Sequence, residues 1–536
     1  MAGAGERGMG RWRRALGVAL ALGLATSAAA AEIALHRGNG AEPETLDMHK
    51  SSGVPEANIQ RDLFEGLIGE AADGSHVPGA AARWEVDPGG TRYTFHLRPD
   101  GRWSDGTPLS AHDFVYAFRR ALDPETASDY AFILWPVKAA EAVSKGEVRD
   151  LERLGIVALD DLTLEITLKA PTPYFLGLLT HHMAYPAPRH AIEAHGSRWT
   201  RPGNMVSNGP YRLAEWVPQS HLKLVRNEHY RGRSRVAIEA VIYYPTEDTN
   251  TELKRFRAGE LDVTSDVPSD QVAWVAEKFG QAFHNTPYLG IYYYALNTGA
   301  APFKDALELR RALALAIDRE ILTTKVTRAG EIPAYAWVPP GVLGYRQQPI
   351  PQHRMSQAER EALARELFAE AGYGPGHPLS LEILYNTSEN HKKIAIAVAA
   401  MWRKVLGVRA RLRNEEWKVY LDTRSQMRFE VARGGWIGDY NDANTFLELM
   451  KSDVGGMNPS GYANPEYDRL IKQAEVTPEP AARAELMQRA ERLMLSQMPI
   501  IPIYFYTTQH LVAARVRGWV DNVMDVHPTR YLSIVE

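Results

Sequence analysis

The alternation of apolar and polar residues predicts short strands in the N-terminal part of the chain. Apolar side chains occupy every second position in 93–97 (YTFHL) and again in 162–168 (LTLEITL). The Asp160-Asp161 pair just before the second segment is typical of a hairpin turn. Short strands and turn signals continue to about residue 190, so we predict a mixed α+β structure for this region.

The C-terminal half predicts a strand–helix–strand unit. Residues 379–385 alternate as a strand, residues 391–406 have a helical composition that Gly407 ends, and residues 408–413 alternate again. Two strands joined through a helix are expected to be parallel, with a right-handed crossover.

Two further elements precede the most unusual stretch of the chain. A capping box at Ser356 and Glu359 begins a helix that Gly372 ends, and residues 429–433 are the next strand candidate. The stretch 432–446 (ARGGWIGDYNDANTF) is too polar for a core strand and too rich in glycine for a helix. We therefore expect it to leave the sheet as a loop.

Polar side chains follow both of these C-terminal strands. In open α/β sheets, ligands bind beyond the carboxyl ends of the strands, so two loops at one edge could form one wall of a cleft. The candidates are Asn386 and His391 after the first strand, and Arg433, Trp436 and Asp439 after the second.

These side chains suit a zwitterionic ligand. The glycine pair ending at Gly435 allows a ligand to approach the backbone, and Trp436 offers a face to a cation. Asp439 can pair with an ammonium group, while Arg424 and Arg433 offer forked donors to a carboxylate. A peptide carries both charges. The alternative is that the two arginines form ordinary surface ion pairs.

No sequence motif predicts catalysis, a metal or a cofactor. The nucleophile elbow, the P-loop and the HExxH motif are all absent, and the GxGxxG spacing occurs only at residues 3–8, with no predicted strand before it. His181 and His182 have no partner ligand at metal spacing, so we expect core or surface histidines. Asp439 and Asp442 could form a general acid/base pair, but no other catalytic signature supports that alternative.

Composition and charge narrow the class of protein. A chain of 536 residues predicts two or three domains, and the absence of cysteine excludes disulfides, thiolate catalysis and a lipid-modified cysteine. Without residues 1–31 the basic count falls from 61 to 57 and the acidic count from 65 to 64, leaving a net charge of −7. That charge argues against nucleic acid as a partner.

The N-terminus has the pattern of a cleavable export signal. Arg11, Arg13 and Arg14 precede the short apolar run 15–25, and small residues surround a cut after Ala31. The apolar run is too short for a comfortable membrane anchor. We expect residues 1–31 to be removed and the protein to reach a bacterial periplasm. The Arg13-Arg14 pair leaves both the general and the twin-arginine export routes open.

From about Gly53 to its C-terminus the chain resembles the periplasmic oligopeptide-binding proteins of peptide ABC importers. These belong to a large solute-binding class that also takes dipeptides, nickel and murein peptides. The segments that carry the resemblance are GVPEANIQRDLFEGL (53–67), WSDGTPLSAHDFVYAF (103–118), NGPYRL (208–213), PYLGIYYYALN (287–297), LALAIDRE (313–320), EILYNTSENHKKIAIAVAAMW (382–402) and 432–446. The YNTS-x-x-HKK segment and the GGWIGDYND stretch are the most specific to peptide binders.

The resemblance implies an α/β fold with two lobes around a cleft and an additional α+β domain in the first lobe. Two strand crossings, matching 287–291 and 505–509, would form the hinge. The implied boundaries are 32–68, 195–289 and 507–536 for the core of lobe I, 69–194 for the extra domain, and 290–506 for lobe II.

The resemblance also implies roles for individual residues. Asp439 matches the aspartate that pairs with the peptide α-ammonium, and Glu56 matches a facing position whose neighbours bond the peptide backbone as a strand would. Three residues match positions that meet carboxyl termini of peptides of different lengths, with Asn386 beside them: His391, Arg424 and Arg433. Thr327 stands where some relatives have lysine, so the preferred peptide length stays open.

The expected function is capture of short peptides and their delivery to the membrane-embedded subunits of an ABC permease. We expect a monomer that is not an enzyme, with no cofactor, metal or nucleic acid. One alternative is a binder of murein peptides or other zwitterions of the same class. The alternative from another class is a secreted hydrolase of peptides or glycosides.

Overall fold

A computed structural model describes residues 33–51 and 53–535, except for the side chains of residues 417 and 418. The predicted export signal, residues 1–31, lies outside the described residues. Within the described ranges, no helix has both the length and the apolar character needed to cross a membrane.

Three sheets organise the described chain. The first has four strands, in the order Ala34–Gly38, Ala240–Tyr244, His221–Arg226 and Tyr211–Val217. The second has four strands from the middle of the N-terminal half, in the order Ala81–Val86, Arg92–Leu97, Thr163–Thr167 and Ile156–Asp160. The third has six strands, in the order Ile332–Pro333, Ile500–Leu511, Phe283–Leu296, Val431–Ile437, Ser380–Asn386 and Arg409–Glu415. Two small ribbons pair Ile68–Glu70 with His76–Pro78 and Val516–Arg517 with Ser533–Ile534.

Helices surround the sheets. Those before residue 280 are Val54–Leu63, Ala111–Leu122, Ala140–Ser144, Phe175–Leu178, Arg189–His195, Thr249–Arg257 and Val272–Phe279. Those after it are Leu307–Leu315, Arg319–Ile321 with the π-helical turn Leu322–Thr327, Gln357–Glu370, Glu389–Leu406, Trp417–Ser425, Asn444–Leu447, Pro465–Glu475 and Pro480–Gln497.

Two large hydrophobic cores divide the molecule into two lobes. One core joins both four-stranded sheets and includes Leu35, Phe95 and Phe114. The other surrounds the six-stranded sheet and includes Tyr292 and Trp402. Each core buries the apolar side chains of its own sheet, as expected for a two-lobed α/β fold.

Two long strands, Phe283–Leu296 and Ile500–Leu511, run from the first lobe into the six-stranded sheet. They pair antiparallel, with Pro287 opposite Thr507 and Ile291 opposite Phe505. Residues 288–290 therefore face a single residue of the partner strand, Tyr506, and interrupt the ladder. The irregularity falls within the two segments that the sequence predicted to cross between the lobes.

Several predicted elements are confirmed with small shifts at their ends. The hairpin pairs Ile156–Asp160 with Thr163–Thr167, and the C-terminal unit pairs Ser380–Asn386 in parallel with Arg409–Glu415. The helix between them, Glu389–Leu406, ends where Gly407 adopts φ 73. The predicted capping box is present at Ser356 and Glu359 of helix Gln357–Glu370.

The prediction that strand 429–433 gives way to a loop is wrong. The strand is Val431–Ile437, so Arg433, Gly435 and Trp436 lie within the sheet, and only Asp439 follows it. Asn386 likewise is the last residue of its strand and does not follow it. Glycine is compatible with the sheet here because Gly434 packs against Tyr293, where an added Cβ would lie 2.3 Å from the Tyr293 ring. The glycines reflect close packing, and not a chain that leaves the sheet.

Candidate functional site

The strand Val431–Ile437 has one paired edge and one open edge. Along its whole length it pairs antiparallel with Phe283–Leu296. On the other side, only Val431 and Ala432 pair with Ser380–Asn386. Among the described strands, none covers residues 433–437 on that side. Uncovered backbone of this kind can accept another extended chain.

The hydrogen bonds show which backbone groups face the open edge. Gly438 donates its N–H to the carbonyl of Leu289 over 2.7 Å, so even-numbered residues of this segment face the paired strand. The carbonyl of Arg433 faces the other way and accepts the Tyr420 hydroxyl. Because backbone groups alternate along a strand, the N–H and C=O of Gly435 and Ile437 point to the open edge.

Two adjacent glycines serve opposite faces of this strand. Gly434 faces the core against Tyr293. A Cβ on Gly435 would lie 3.0 Å from both the Arg433 guanidinium and the Tyr506 hydroxyl. On the face that carries Gly435, polar side chains therefore lie directly against the backbone, which the absence of a side chain at Gly435 allows.

Arg433 is a half-buried cation without a carboxylate partner. Its Nη2 donates to the Tyr506 hydroxyl over 3.0 Å and its Nη1 to the Asn386 Oδ1 over 3.4 Å. The guanidinium carbon lies 4.8 Å from the centre of the Tyr292 ring. Its Nε has no acceptor within the described part of the chain. An uncompensated guanidinium of this kind is suited to an anionic ligand group.

Arg424 has similar surroundings. Its Nη2 donates to the Tyr293 hydroxyl over 3.3 Å, its guanidinium lies over Tyr420, and its Nε has no acceptor among the described residues. Neither Arg424 nor Arg433 forms an ion pair with a described carboxylate. The alternative that they belong to ordinary surface ion pairs is therefore wrong.

His391 lies beside this cationic end. It is in the first turn of helix Glu389–Leu406, and its Nδ1 is 3.4 Å from the Tyr292 hydroxyl. Burial, followed by the positive charge of Arg433, lowers the pKa of His391 to about 3. The ring is therefore neutral at physiological pH. The structure thus brings four predicted residues together: Asn386, His391, Arg424 and Arg433.

Asp439 lies beyond the other end of the strand and carries the opposite charge. Its backbone N–H donates to Thr445 Oγ1 over 3.3 Å, and the Trp436 indole donates to the same oxygen over 3.4 Å. No described side chain donates to its carboxylate or pairs with it. Burial raises the pKa of Asp439 to about 7. A carboxylate in this state favours any cation that reaches it.

The groups around Asp439 come from several parts of the chain. Burial, followed by the negative charge of Asp439, raises the pKa of Tyr130 to about 12. Tyr130 in turn stacks on His181, with ring centres 5.4 Å apart. Glu448 also lies nearby, and its pKa is raised to about 8 by burial and by Asp439. Tyr130 and His181 were missed as neighbours of the site because no local pattern links them to residue 439.

Two other residues named from the sequence lie outside this group: Glu56, predicted to face the peptide, and Asp442, the partner in the acid/base alternative. Glu56 is in the first turn of helix Val54–Leu63 and accepts the Glu44 backbone N–H over 2.7 Å. No described contact joins it to strand Val431–Ile437. Asp442 forms a two-bond ion pair with Arg483, at 2.6 and 2.8 Å. Both carboxylate oxygens of Asp442 accept from the Arg483 guanidinium, so Asp442 is not available as the partner of Asp439 in a general acid/base pair.

Comparison with known proteins gives a consistent family. Residues 75–458 match the family described as bacterial extracellular solute-binding proteins, family 5. The periplasmic oligopeptide-binding protein OppA of Salmonella typhimurium is 41% identical over 94% of this chain and 95% of its own. The periplasmic murein peptide-binding protein MppA of Escherichia coli is 40% identical over 92% of each chain.

A solved structure agrees with the fold. The crystal structure of Haemophilus influenzae OppA in complex with the peptide RPPGFSPFR has a chain whose sequence is 37% identical to this one. It matches 94% of this chain and 99% of its own with a TM-score of 0.80. The chain therefore belongs to the family 5 bacterial extracellular solute-binding proteins.

Proposed function

We propose that the protein captures short peptides in the periplasm and delivers them to the membrane-embedded subunits of an ABC permease. One observation carries this proposal: an open strand edge lies between an unpaired carboxylate, Asp439, and two unpaired guanidinium groups, Arg424 and Arg433. A peptide has a hydrogen-bonding backbone between opposite terminal charges. The site and the ligand are complementary in all three respects.

The proposed peptide adds a strand to the open edge at Gly435 and Ile437. Its ammonium meets Asp439 and its carboxylate lies near Arg433, so it runs antiparallel to strand Val431–Ile437. The six steps from 433 to 439 span about 20 Å at the rise of an extended chain, and the arginine side chains shorten that distance. Peptides of roughly three to five residues fit this span.

The cationic end offers more than one position for a carboxyl terminus. Arg433, Arg424 and His391 would serve peptides of different lengths, with Asn386 orienting Arg433. Trp436 excludes water beside Asp439, and Glu56 fixes the segment before helix Val54–Leu63 on the facing lobe. These roles rest on the resemblance together with the contacts described above.

The domain boundaries proposed from the sequence complete this scheme. Residues 32–68, 195–289 and 507–536 would form the core of lobe I, with 69–194 as the additional domain and 290–506 as lobe II. The two strands with the interrupted ladder at 288–290 would be the hinge. Tyr130 of the first lobe already lies beside Asp439, and Tyr174 stacks on Tyr440, so opening of the lobes would draw these side chains away from the site.

The names of the relatives support peptides as the ligand class. OppA of Salmonella typhimurium is named an oligopeptide-binding protein, and MppA of Escherichia coli a murein peptide-binding protein. Because the two identities are nearly equal, a murein-peptide binder remains the second candidate. A hydrolase is disfavoured because Asp442 is held by Arg483 and no catalytic motif accompanies Asp439. We propose that the protein is a monomer and that it does not bind nucleic acid.

Mass spectrometry of ligand extracted from the purified protein tests the proposal. Ordinary tri- to pentapeptides would support it, and peptides with cell-wall amino acids would favour the second candidate. Incubation of the protein with defined peptides is the complementary experiment. Intact peptide is the expected result, and new products at a rate that depends on the protein would identify a hydrolase instead.

A further inference from the structure

A separate cavity lies at the carboxyl end of strand Ala34–Gly38, at the edge of the first sheet. It has a volume of about 430 Å³, and its walls include Arg37, Asp266 and Trp519. Three potential metal ligands also line it: His510, Asp525 and His527. Val54 and Pro55, which precede Glu56, are among its walls, but Asp439, Arg433, Gly435 and the other predicted residues of strand Val431–Ile437 are not. The cavity is therefore distinct from the open strand edge.

The three potential ligands converge on one point. His510 Nε2 lies 2.8 Å from Asp525 Oδ1, and His527 Nε2 lies 3.0 Å from the same oxygen. All three ligand atoms lie within 4.8 Å of one another. Ligand atoms around a tetrahedral zinc ion are roughly 3.3 Å apart, since zinc–nitrogen and zinc–oxygen bonds are about 2.0–2.2 Å. A shift of a few tenths of an ångström would admit an ion.

Neighbouring groups orient the histidine rings. His510 donates from Nδ1 to the backbone carbonyl of Thr264 over 2.9 Å, which directs Nε2 toward Asp525. Metal-binding histidines are commonly oriented by this type of bond. The His527 ring stacks on Trp519 with ring centres 3.7 Å apart, and its backbone carbonyl accepts from Arg37 Nη1 over 3.0 Å.

The loop that carries Asp525 is also held in place. Asn522 Oδ1 accepts the backbone N–H groups of Met524 and Val526, both over 3.2 Å. Asp525 itself has φ 54, in the left-handed region that few residue types adopt readily. The loop therefore presents the Asp525 carboxylate to His510 in a conformation that costs energy, a feature common at functional sites.

The charges around the cluster include both signs. The carboxylates of Asp525 and Asp266 line the cavity and favour a cation, whereas the guanidinium of Arg37 on the same wall opposes one. Two imidazole nitrogens with one carboxylate form a donor set suited to zinc and to nickel, copper or iron of similar charge. Magnesium and calcium prefer oxygen ligands.

We propose that His510, Asp525 and His527 bind a divalent transition-metal ion of the zinc class, whose remaining coordination position faces the cavity. The ion would link the end of strand Ile500–Leu511 to the C-terminal loop of the first lobe. The sequence contains no local signature of this site, because His510 belongs to a strand and the other two ligands to a loop.

Isothermal titration with Zn²⁺ tests the proposal, using the tag-free mature protein after treatment with a chelator. We expect about one equivalent to bind, and each of His510→Gln and His527→Gln to weaken that event at least tenfold. His284→Gln is the matched control: His284 pairs with Asp521 and lies beside Trp519, but it is not a ligand in the cluster. The control variant should bind Zn²⁺ as the wild type does.

Thermal unfolding gives an independent measurement. Zn²⁺ should raise the midpoint of the wild type and of His284→Gln but not that of His510→Gln or His527→Gln, because only an intact site links binding to folding. Absence of Zn²⁺ binding, or equal binding by both ligand variants and the wild type, would show that the cluster is a hydrogen-bonded group only. If His510→Gln does not fold, the loop variant His527→Gln decides. Peptide affinity should be unchanged throughout, so this result is separate from the test of peptide capture.

Discussion

Arg433 donates from Nη2 to the hydroxyl of Tyr506 over 3.0 Å, and Tyr506 is the residue opposite the interrupted ladder at 288–290. The proposed carboxylate-binding end of the site is thus bonded directly to one of the two strands that pass between the lobes. A ligand that draws the guanidinium toward itself acts on that strand as well. Ligand binding at Arg433 would therefore be connected to the crossing strands through this hydrogen bond.

Replacement of Arg433 tests the carboxylate-binding end. Arg433→Met should weaken binding of the peptide lengths whose carboxylate reaches it by about two orders of magnitude, because loss of one member of a buried charge pair costs roughly 2–5 kcal/mol. Calorimetry with tri-, tetra- and pentapeptides, free and amidated, measures this. Amidated peptides should bind the wild type weakly and lose little more in the variant.

Arg428→Gln is the matched control for this experiment. Arg428 is exposed and pairs with Asp422 at the surface, so its replacement should leave the affinities unchanged. Equal losses for free and amidated peptides in Arg433→Met would mean that Arg433 supports the structure and does not contact the ligand.

Replacement of Asp439 tests the ammonium-binding end. Asp439→Asn keeps the shape and removes the charge, which should lower the affinity for free peptides by about two to three orders of magnitude or more, corresponding to roughly 3–5 kcal/mol. N-acetylated peptides should bind the wild type poorly and lose little in the variant. Calorimetry on the four combinations isolates the interaction. A variant that loses the same factor for both peptides would exclude the proposed pairing.

In the ligand-free protein, Asp439→Asn should increase the stability of the fold at neutral and higher pH. The pKa of Asp439 is about 7 in the fold and about 3.9 in an unfolded chain, so the folded state binds the extra proton between these values. Its stability contribution therefore falls as the pH rises from about 4 to 7, by something on the order of 1–3 kcal/mol. Asp439→Asn removes this loss. The variant should unfold at a higher temperature than the wild type at pH 8 and at nearly the same temperature at pH 4.

Affinity should depend on pH with a maximum between about 7 and 8. Below pH 7, binding of an ammonium must expel the proton from Asp439, which costs up to tenfold in affinity per pH unit. Above about pH 8, the α-amino group of the peptide loses its own proton. Titrations from pH 5 to about pH 9.5 with a free and an N-acetylated peptide measure the profile. A profile of equal shape for both peptides would contradict the role of Asp439.

The two adjacent glycines predict different consequences for the two faces of the strand. Gly434→Val should destabilise the fold by about 1–3 kcal/mol, because the new side chain would overlap the Tyr293 ring in the core. Gly435→Val should leave stability nearly unchanged and lower peptide affinity at least tenfold, because the added side chain displaces the end of Arg433 from its place beside the open edge. Denaturant unfolding and calorimetry on the pair separate the effects. Full peptide affinity in Gly435→Val would contradict the proposed role of the Arg433 guanidinium in its present position.

The elements that the sequence predicted well are those determined by local chemistry. Helix Glu389–Leu406 has a polar start, a regular apolar face and Gly407 at its end, and none of these signals depends on distant residues. The parallel strands on either side follow from that helix. Asp439 and Arg433 were identified as candidates because unusual residue types stand close together in 432–446, and Arg424 because its forked donors suit a carboxylate and it matches a family position.

The parts that the sequence did not predict depend on distant partners. Whether Gly434 belongs to a sheet depends on Tyr293, a residue far away along the chain, so the glycine-rich stretch looked like a loop. The stacking of Tyr174 on Tyr440, with ring centres 5.1 Å apart, also joins segments with no shared local signal. The same is true of Tyr130 beside Asp439. A local sequence pattern does not predict contacts between residues that are far apart along the chain.

The open strand edge at Gly435 and Ile437 has a consequence for ligand selectivity. Apart from proline, which has no backbone N–H, every residue of a peptide offers the same N–H and C=O groups, and in the proposed mode Asp439 and Arg433 contact only the two charged ends. A site that binds peptides in the proposed way would distinguish lengths and blocked termini and would depend little on the order of the side chains.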